Sequence, residues 1–165
     1  MDAYLAVVAK REVREYTDRP VPEDVLVKIL QAGRATVLRD KVRHRELAGL
    51  MTGRGNLERC VVAVAIVLLN DSFRYDAGRA AQNMMVAAWA LGVGSCPNSV
   101  HPDHADDARA LLGVPPEASV ASVITFGYPA PGQPRPRAKA DPDRVLARIK
   151  RLPLEELVSE ERFSG

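Results

Sequence analysis

Apolar and polar positions first fall into a helical rhythm in PVPEDVLVKILQAGR, where Pro20 and Pro22 precede Glu23 and Asp24, and Val25, Leu26, Ile29 and Leu30 recur up to Gly33. This spacing predicts an amphipathic helix with its acids in the first turn, where the helix dipole favours them. Tyr4, Leu5, Val7 and Val8 predict a shorter helix before it. Between positions 36 and 59 a brief β-branched stretch leads into a helix around Val42 to Met51, broken at Gly53 and Gly55. The run CVVAVAIVLLN, from Cys60 to Asn70, is apolar without alternation and rich in Val and Ile, which predicts a strand covered on both faces.

Asp76 is placed to cap a helix through GRAAQNMMVAAWALG to Gly92. From Ala80 onward that helix is apolar nearly all round, so it belongs at the centre of the fold or at an interface. VGSCPNSV reads as a short strand entering a loop, HPDHADDARALLGVP as a helix ended by Gly113 and Pro115, and SVASVITFGYP as a second strong strand. PAPGQPRPRAKADPD is held extended by its prolines, and DPDRVLARIKRLPLEELVSEERFSG predicts one short helix and an amphipathic tail. No repeat and no regular βαβ alternation is present, so the pattern is one domain over residues 1–165, with helices around a small mixed or antiparallel sheet.

Composition narrows the function classes. With 165 residues, 47% of them hydrophobic, the chain can bury a core. Its 23 basic and 21 acidic side chains nearly cancel, so the overall charge points to neither nucleic acid nor an anionic membrane as partner. Cys60 and Cys96 sit in apolar surroundings and read as reduced core thiols. With no export signal at Met1-Asp2 and no long apolar run, a cytoplasmic location is expected.

Two cationic clusters are the candidate chemistry: Lys10, Arg11 and Arg14 near one end, and Arg135, Arg137 and Lys139 near the other. Guanidinium forks bind phosphate oxygens in pairs, and an extended Arg-Pro-Arg sets two of them on one side of the backbone. His101 and His104 with Asp103, Asp106 and Asp107 are explained by a helix start, so no metal site is assigned. Cys96 has no placed base and no catalytic side chain is assigned.

The order of the segments carries more than any one of them. R-x-V-R-x-Y-x-x-x-P-V-P, a helix ending Ala-Gly-Arg, a buried strand, D-x-G-x-A-A-Q-N-M-x-x-A-A-x-A-L-G-x-G-S, I-T-F-G-Y-P with a basic proline-rich follow-on, and the tail LPLEELVSEERF together resemble the flavin-dependent nitroreductase family over residues 4–35 and 60–163. The resemblance implies an α+β fold, an intertwined homodimer with FMN at the subunit interface, and residues 141–165 as an extension packing on the partner. It also implies NAD(P)H as electron donor in a ping-pong cycle and a small-molecule acceptor such as a nitroaromatic or quinone. Carried onto this chain, the FMN phosphate falls to Lys10, Arg11 and Arg14 with Arg135 and Arg137, and Glu12 stands where the family often has serine. A carboxylate beside a phosphate is unfavourable, so Glu12 is expected to turn toward an arginine. The loop Pro97, Asn98, Ser99 and Val100 matches the stretch whose backbone N–H groups face the flavin ring and its N5 in that family.

One departure matters. After Ala-Gly-Arg the family continues with a serine-rich stretch, an asparagine and Gln-Pro-Trp before its first strand, whereas here AGRATV runs into LRDKVRHREL. Without two or three hydrogen bonds to the ring, at about 1 kcal/mol each, FMN binding would be weaker by roughly a hundredfold. The alternative, from a different class, is a family member that binds flavin or nucleotide weakly or not at all and serves as a dimeric partner protein.

Overall fold

The computed structural model describes residues 1–31, 36–53, 55–137, 139–149 and 158. Four strands form one antiparallel sheet in the order β1-β2-β4-β3, with β1 at Thr36–Leu38, β2 at Val62–Leu68, β3 at Gly94–Asn98 and β4 at Ser119–Gly127. The helices among the described residues are α1 (Ala3–Ala9), α2 (Glu23–Leu30), α3 (Lys41–Gly49), α4 (Gly55–Arg59), α5 (Arg74–Ala90), α6 (Ala105–Leu112) and α7 (Pro142–Arg148). This is the expected α+β arrangement with a small antiparallel sheet.

Alternation along the central strands sorts side chains into two cores. Val62, Val64, Ile66 and Leu68 of β2, with Ile124 and Phe126 of β4, pack with Leu26 and Ile29 of α2 and Met84, Met85 and Ala88 of α5. Ala63 and Ala65, with Val123, belong to the other core with Leu47, Leu57, Trp89 and Leu112. Thus the apolar run at Val62–Leu68 is covered on both faces although its neighbours are antiparallel. Leu26 and Ile29 are buried, and each such side chain contributes about 1.5–3 kcal/mol.

Several boundaries differ from the sequence pattern. The long helix begins at Arg74, after a turn of 3-10 helix at Asp71–Phe73, so Asp76 lies in its first turn and Phe73 holds the cap position. Gly53 ends the α3 region, but Gly55 opens α4 where a break was expected. Residues 32–34, assigned to the end of the α2 helix, and the tail from 150 onward, except Val158, lie outside the described residues. Within the extension, α7 packs against α1 of its own chain. Gly113 closes α6 at φ 65°, a conformation that costs glycine nothing.

His44 is fully buried, with Nε2 donating to the Leu38 carbonyl at 3.0 Å and Nδ1 facing Cys60 Sγ at 3.6 Å, so one ring ties α3 to β1 and to the start of β2. Burial favours the neutral ring and lowers its pKa; the Leu38 bond and Asp40 oppose this, and Lys41 adds to it. A folded pKa below the ordinary value of about 6.5 means that this group's stability is full above that value and is lost as pH falls through it. The urea midpoint should therefore drop between about pH 7.5 and about pH 5.5, and drop less in a His44→Asn variant. Equal losses in both proteins would remove His44 from the explanation.

Candidate functional site

The first cationic cluster starts at Lys10 and Arg11, just after α1, and its Arg14 lies on the segment Glu12–Tyr16, which bridges to Ser95 and Pro129 along the sheet edge. Val13 and Tyr16 point inward and are buried. Val13 N–H donates to Ser95 O at 3.0 Å, Thr17 N–H to Tyr128 O at 2.9 Å, and Ala130 N–H to Glu15 O at 3.0 Å. Tyr16 OH meets Val13 O at 2.5 Å and Thr125 Oγ1 at 2.8 Å, and burial pushes its pKa upward. Arg14 N–H reaches Gln133 Oε1 at 3.2 Å across 119 positions of sequence, so the two cationic regions meet.

Two concavities flank this segment. One, of about 740 Å³, carries Arg11, Arg135, Arg137, Lys139, Arg144 and Arg148 against Asp141. Trp89 lies in its wall, and the indole Nε1–H is buried without a partner. A buried donor beside excess positive charge suits a ligand rich in acceptor oxygens. The other, of about 380 Å³, opens at the β3 edge beside Cys96, Pro97 and Asn98, with Arg14, Glu15, Thr52, Asn56 and Arg59 around it. Both of its arginines have acidic partners: Arg14 pairs with Glu12, and Arg59 with Glu15 at 2.8 Å.

The structure brings Arg11, Arg135 and Arg137 together as a set and places Arg14 in the other cavity with Pro97 and Asn98. Lys10, at the C-terminal cap of α1, lines neither. Burial lowers its pKa, and Glu12 and Cys96 oppose that shift. Pro97 and Asn98 belong to β3 and not to a loop. Ser95 O and Ser99 O face away from β4, accepting from Val13 N and Thr52 N. By the period of two, Pro97 turns its carbonyl the same way and, being proline, has no N–H to give. The backbone donor expected across Pro97–Val100 is therefore replaced at Pro97 by an acceptor. Asn98 Nδ2 donates back to Cys96 O and Val123 O, and Val100 bridges Met51.

Both thiols are free and buried; burial raises Cys96, helped by Glu12, and pushes Cys60 up to about 12. Neither is a thiolate near neutral pH. His101 Nδ1 accepts from Asp103 N–H at the start of the turn before α6, a capping role. No helix among the described residues is long and apolar enough to cross a membrane.

Comparison with known proteins decides the family. The profile described as "Nitroreductase family" matches residues 70–128. A protein of Methanothermobacter thermautotrophicus named "Putative NADH dehydrogenase/NAD(P)H nitroreductase" is 32% identical over 88% of this chain and 86% of its own length. The chain belongs to the nitroreductase family. Its fold is likewise that of solved relatives. An FMN-dependent nitroreductase from Clostridium difficile R20291 is 26% identical, with a TM-score of 0.77 over 96% of this chain and 98% of that one. The NADPH:FMN oxidoreductase from Vibrio harveyi complexed with NAD+ is 19% identical, with a TM-score of 0.81 over 99% of this chain and 79% of that one.

As a nitroreductase-family fold, the chain keeps an edge strand at Thr36–Leu38 despite its short sequence between α2 and α3, because Val37 and Leu38 still pair with Val64 and Ala63. Sequence reasoning missed Asn56 and Arg59, which reach the β3 cavity only because α4 follows Gly53. It also missed Arg144 and Arg148. Their spacing of one helical turn along α7 was the available signal.

Proposed function

We propose that this nitroreductase-family chain is an FMN-dependent oxidoreductase, taking electrons from NAD(P)H and passing them in a ping-pong cycle to a nitroaromatic, quinone or similar acceptor. It would work as an intertwined homodimer with the flavin at the interface and the 141–165 extension against the partner. The supporting observation is the convergence of Arg11, Arg135 and Arg137 on one basic groove. The names of the relatives from Methanothermobacter and Clostridium support the donor and the flavin.

Arg11, Arg135 and Arg137 would hold the FMN phosphate, with guanidinium forks matching its oxygens. Lys10 and Arg14 would add positive charge beside it. Pro97 O would accept from a donor on the ring edge, and Asn98, Ser99 and Val100 would keep that edge strand rigid, since Asn98 and Ser99 are already bonded to their neighbours. Bound FMN would supply hydride acceptance and electron delivery. The chain's own part is positioning and electrostatics, and no side chain needs to shuttle a proton. A weaker-binding, non-catalytic role is favoured by one observation, the acidic partners of Arg14 and Arg59 in the β3 cavity.

The test is a visible absorption spectrum of the purified protein after adding FMN and removing the excess. Flavin bands should stay with the protein and bleach anaerobically on NADH or NADPH addition. A colourless protein that keeps no FMN would reject the enzyme reading. Light scattering at micromolar concentration should give twice the chain mass, since Leu69, Phe73 and Tyr75 form an exposed apolar group at one end of α5. A monomer would count against both the dimer and the interface site.

A further inference from the structure

We infer, on the strength of the flavin reading above, that the α7 face of the basic groove is a second phosphate subsite. Arg144 and Arg148 hold the 2′-phosphate of NADPH there, so the chain takes electrons from NADPH in preference to NADH.

The groove is larger and more charged than one phosphate requires. Its volume of about 740 Å³ falls in the range of roughly 300–1,000 Å³ typical of sites that enclose a whole small molecule. Arg11, Arg135 and Arg137 are enough to grip the flavin phosphate, since a phosphate monoester carries a charge of about −1.5 to −2. Lys139, Arg144 and Arg148 are left over, against Asp141 as the one acid among the described residues of the lining.

That surplus is built into a helix face. Asp141, Arg144, Val145, Arg148 and Ile149 all line the groove and recur at helical spacing along α7 and its two cap positions. The face is held in place, because the Asp141 side chain accepts from Asp143 N–H at 3.0 Å and α7 packs on α1, the helix that leads into Arg11. Among the described residues Arg148 meets no carboxylate, and Arg144 meets Asp141 at 3.7 Å in an exposed pair that a ligand displaces at little cost. In the β3 cavity, by contrast, Arg14 and Arg59 both have acidic partners. Val145 and Ile149 set apolar surface beside the two guanidinium groups, which suits a phosphate carried on a nucleoside better than a free ion. Trp89 points the same way: its indole lines this groove, is 2% exposed, and keeps a buried Nε1–H that no protein group satisfies. NADPH and NADH differ only in the 2′-phosphate, so cations unused by the flavin discriminate between them.

The experiment uses the full chain, with adenosine 2′,5′-bisphosphate and 5′-AMP as probes that differ by the 2′-phosphate and need no flavin. Calorimetric titration of the wild type should show the bisphosphate binding at least about tenfold more tightly. In Arg144→Ala/Arg148→Ala that ratio should fall below about twofold, and the FMN dissociation constant should change by less than about twofold. Arg43→Ala/Arg45→Ala, which removes the same charge from exposed positions of α3, should keep the wild-type ratio. FMN-loaded wild type should be bleached faster by NADPH than by NADH. Equal binding of the two probes, or a preference that survives loss of both α7 arginines or disappears equally in the α3 variant, overturns the inference and leaves the flavin site standing. A comparable loss of FMN affinity in the α7 variant also overturns it, by assigning these arginines to the flavin phosphate. Failure to retain FMN rejects the flavin reading by itself, and the subsite then stands or falls on the two probes.

Discussion

Gly94→Ala is expected to destabilise the protein by about 2–3 kcal/mol and to lower its melting temperature by roughly 4–12 °C. A methyl built on Gly94 would meet Val13 Cβ and Cγ2 at 2.7 Å and Cγ1 at 2.9 Å. Those distances are far inside van der Waals separation, and Val13 is a stiff, fully buried side chain with nowhere to turn. Gly127 meets the same demand from Tyr16, whose ring and Cβ would lie 2.7–3.0 Å from an added methyl. In both cases the reason is space, since the cationic segment is laid directly over these two strand positions. Alanine at either position should lift the segment, part Arg14 from Gln133, and weaken flavin retention along with stability. The control is Gly78→Ala in α5, where an added methyl meets nothing within 4 Å. There the helix should gain up to about 1 kcal/mol. Thermal melts of the three variants check this, and a Gly94→Ala protein as stable as Gly78→Ala would refute the close approach.

The second large effect concerns binding. Arg135→Ala/Arg137→Ala should weaken FMN binding by about a hundredfold, a factor of about ten for each guanidinium–phosphate pair removed. Both arginines sit at the surface of the groove, away from the core, so the fold and the oligomer should be unaffected. Riboflavin affinity should hardly change, because the effect falls on the phosphate. Titration of both flavins against both proteins provides the readout. An unchanged FMN affinity would leave these arginines as ordinary surface charge and move the phosphate elsewhere.

These two experiments probe opposite ends of what the sequence made legible. The buried run at Val62–Leu68, the amphipathic α2 and the small-residue helix α5 were all readable, because burial imprints its period on neighbouring residues. The positive charge of both clusters was readable too, and so was the turning of Glu12 onto an arginine, since opposite charges two positions apart on an extended stretch share one side. Pro97 was misread as part of a loop offering N–H groups. Its place in β3 follows from pairing with Ile124, far along the chain, and local pattern carries no record of that partner.

What the sequence determined by itself was therefore most of the elements and the family they belong to, both of which depend on short-range spacing and residue chemistry. Only the tertiary structure decided that Arg11 joins Arg135 and Arg137 while Arg14 faces Pro97, and that Gly94 and Gly127 must lack a side chain. The physical reason is the same throughout. These facts depend on which side of a pinned strand a residue projects and on what lies across from it. That is settled by long-range hydrogen bonds such as Val13 to Ser95 and Arg14 to Gln133, not by the neighbours of a residue along the chain.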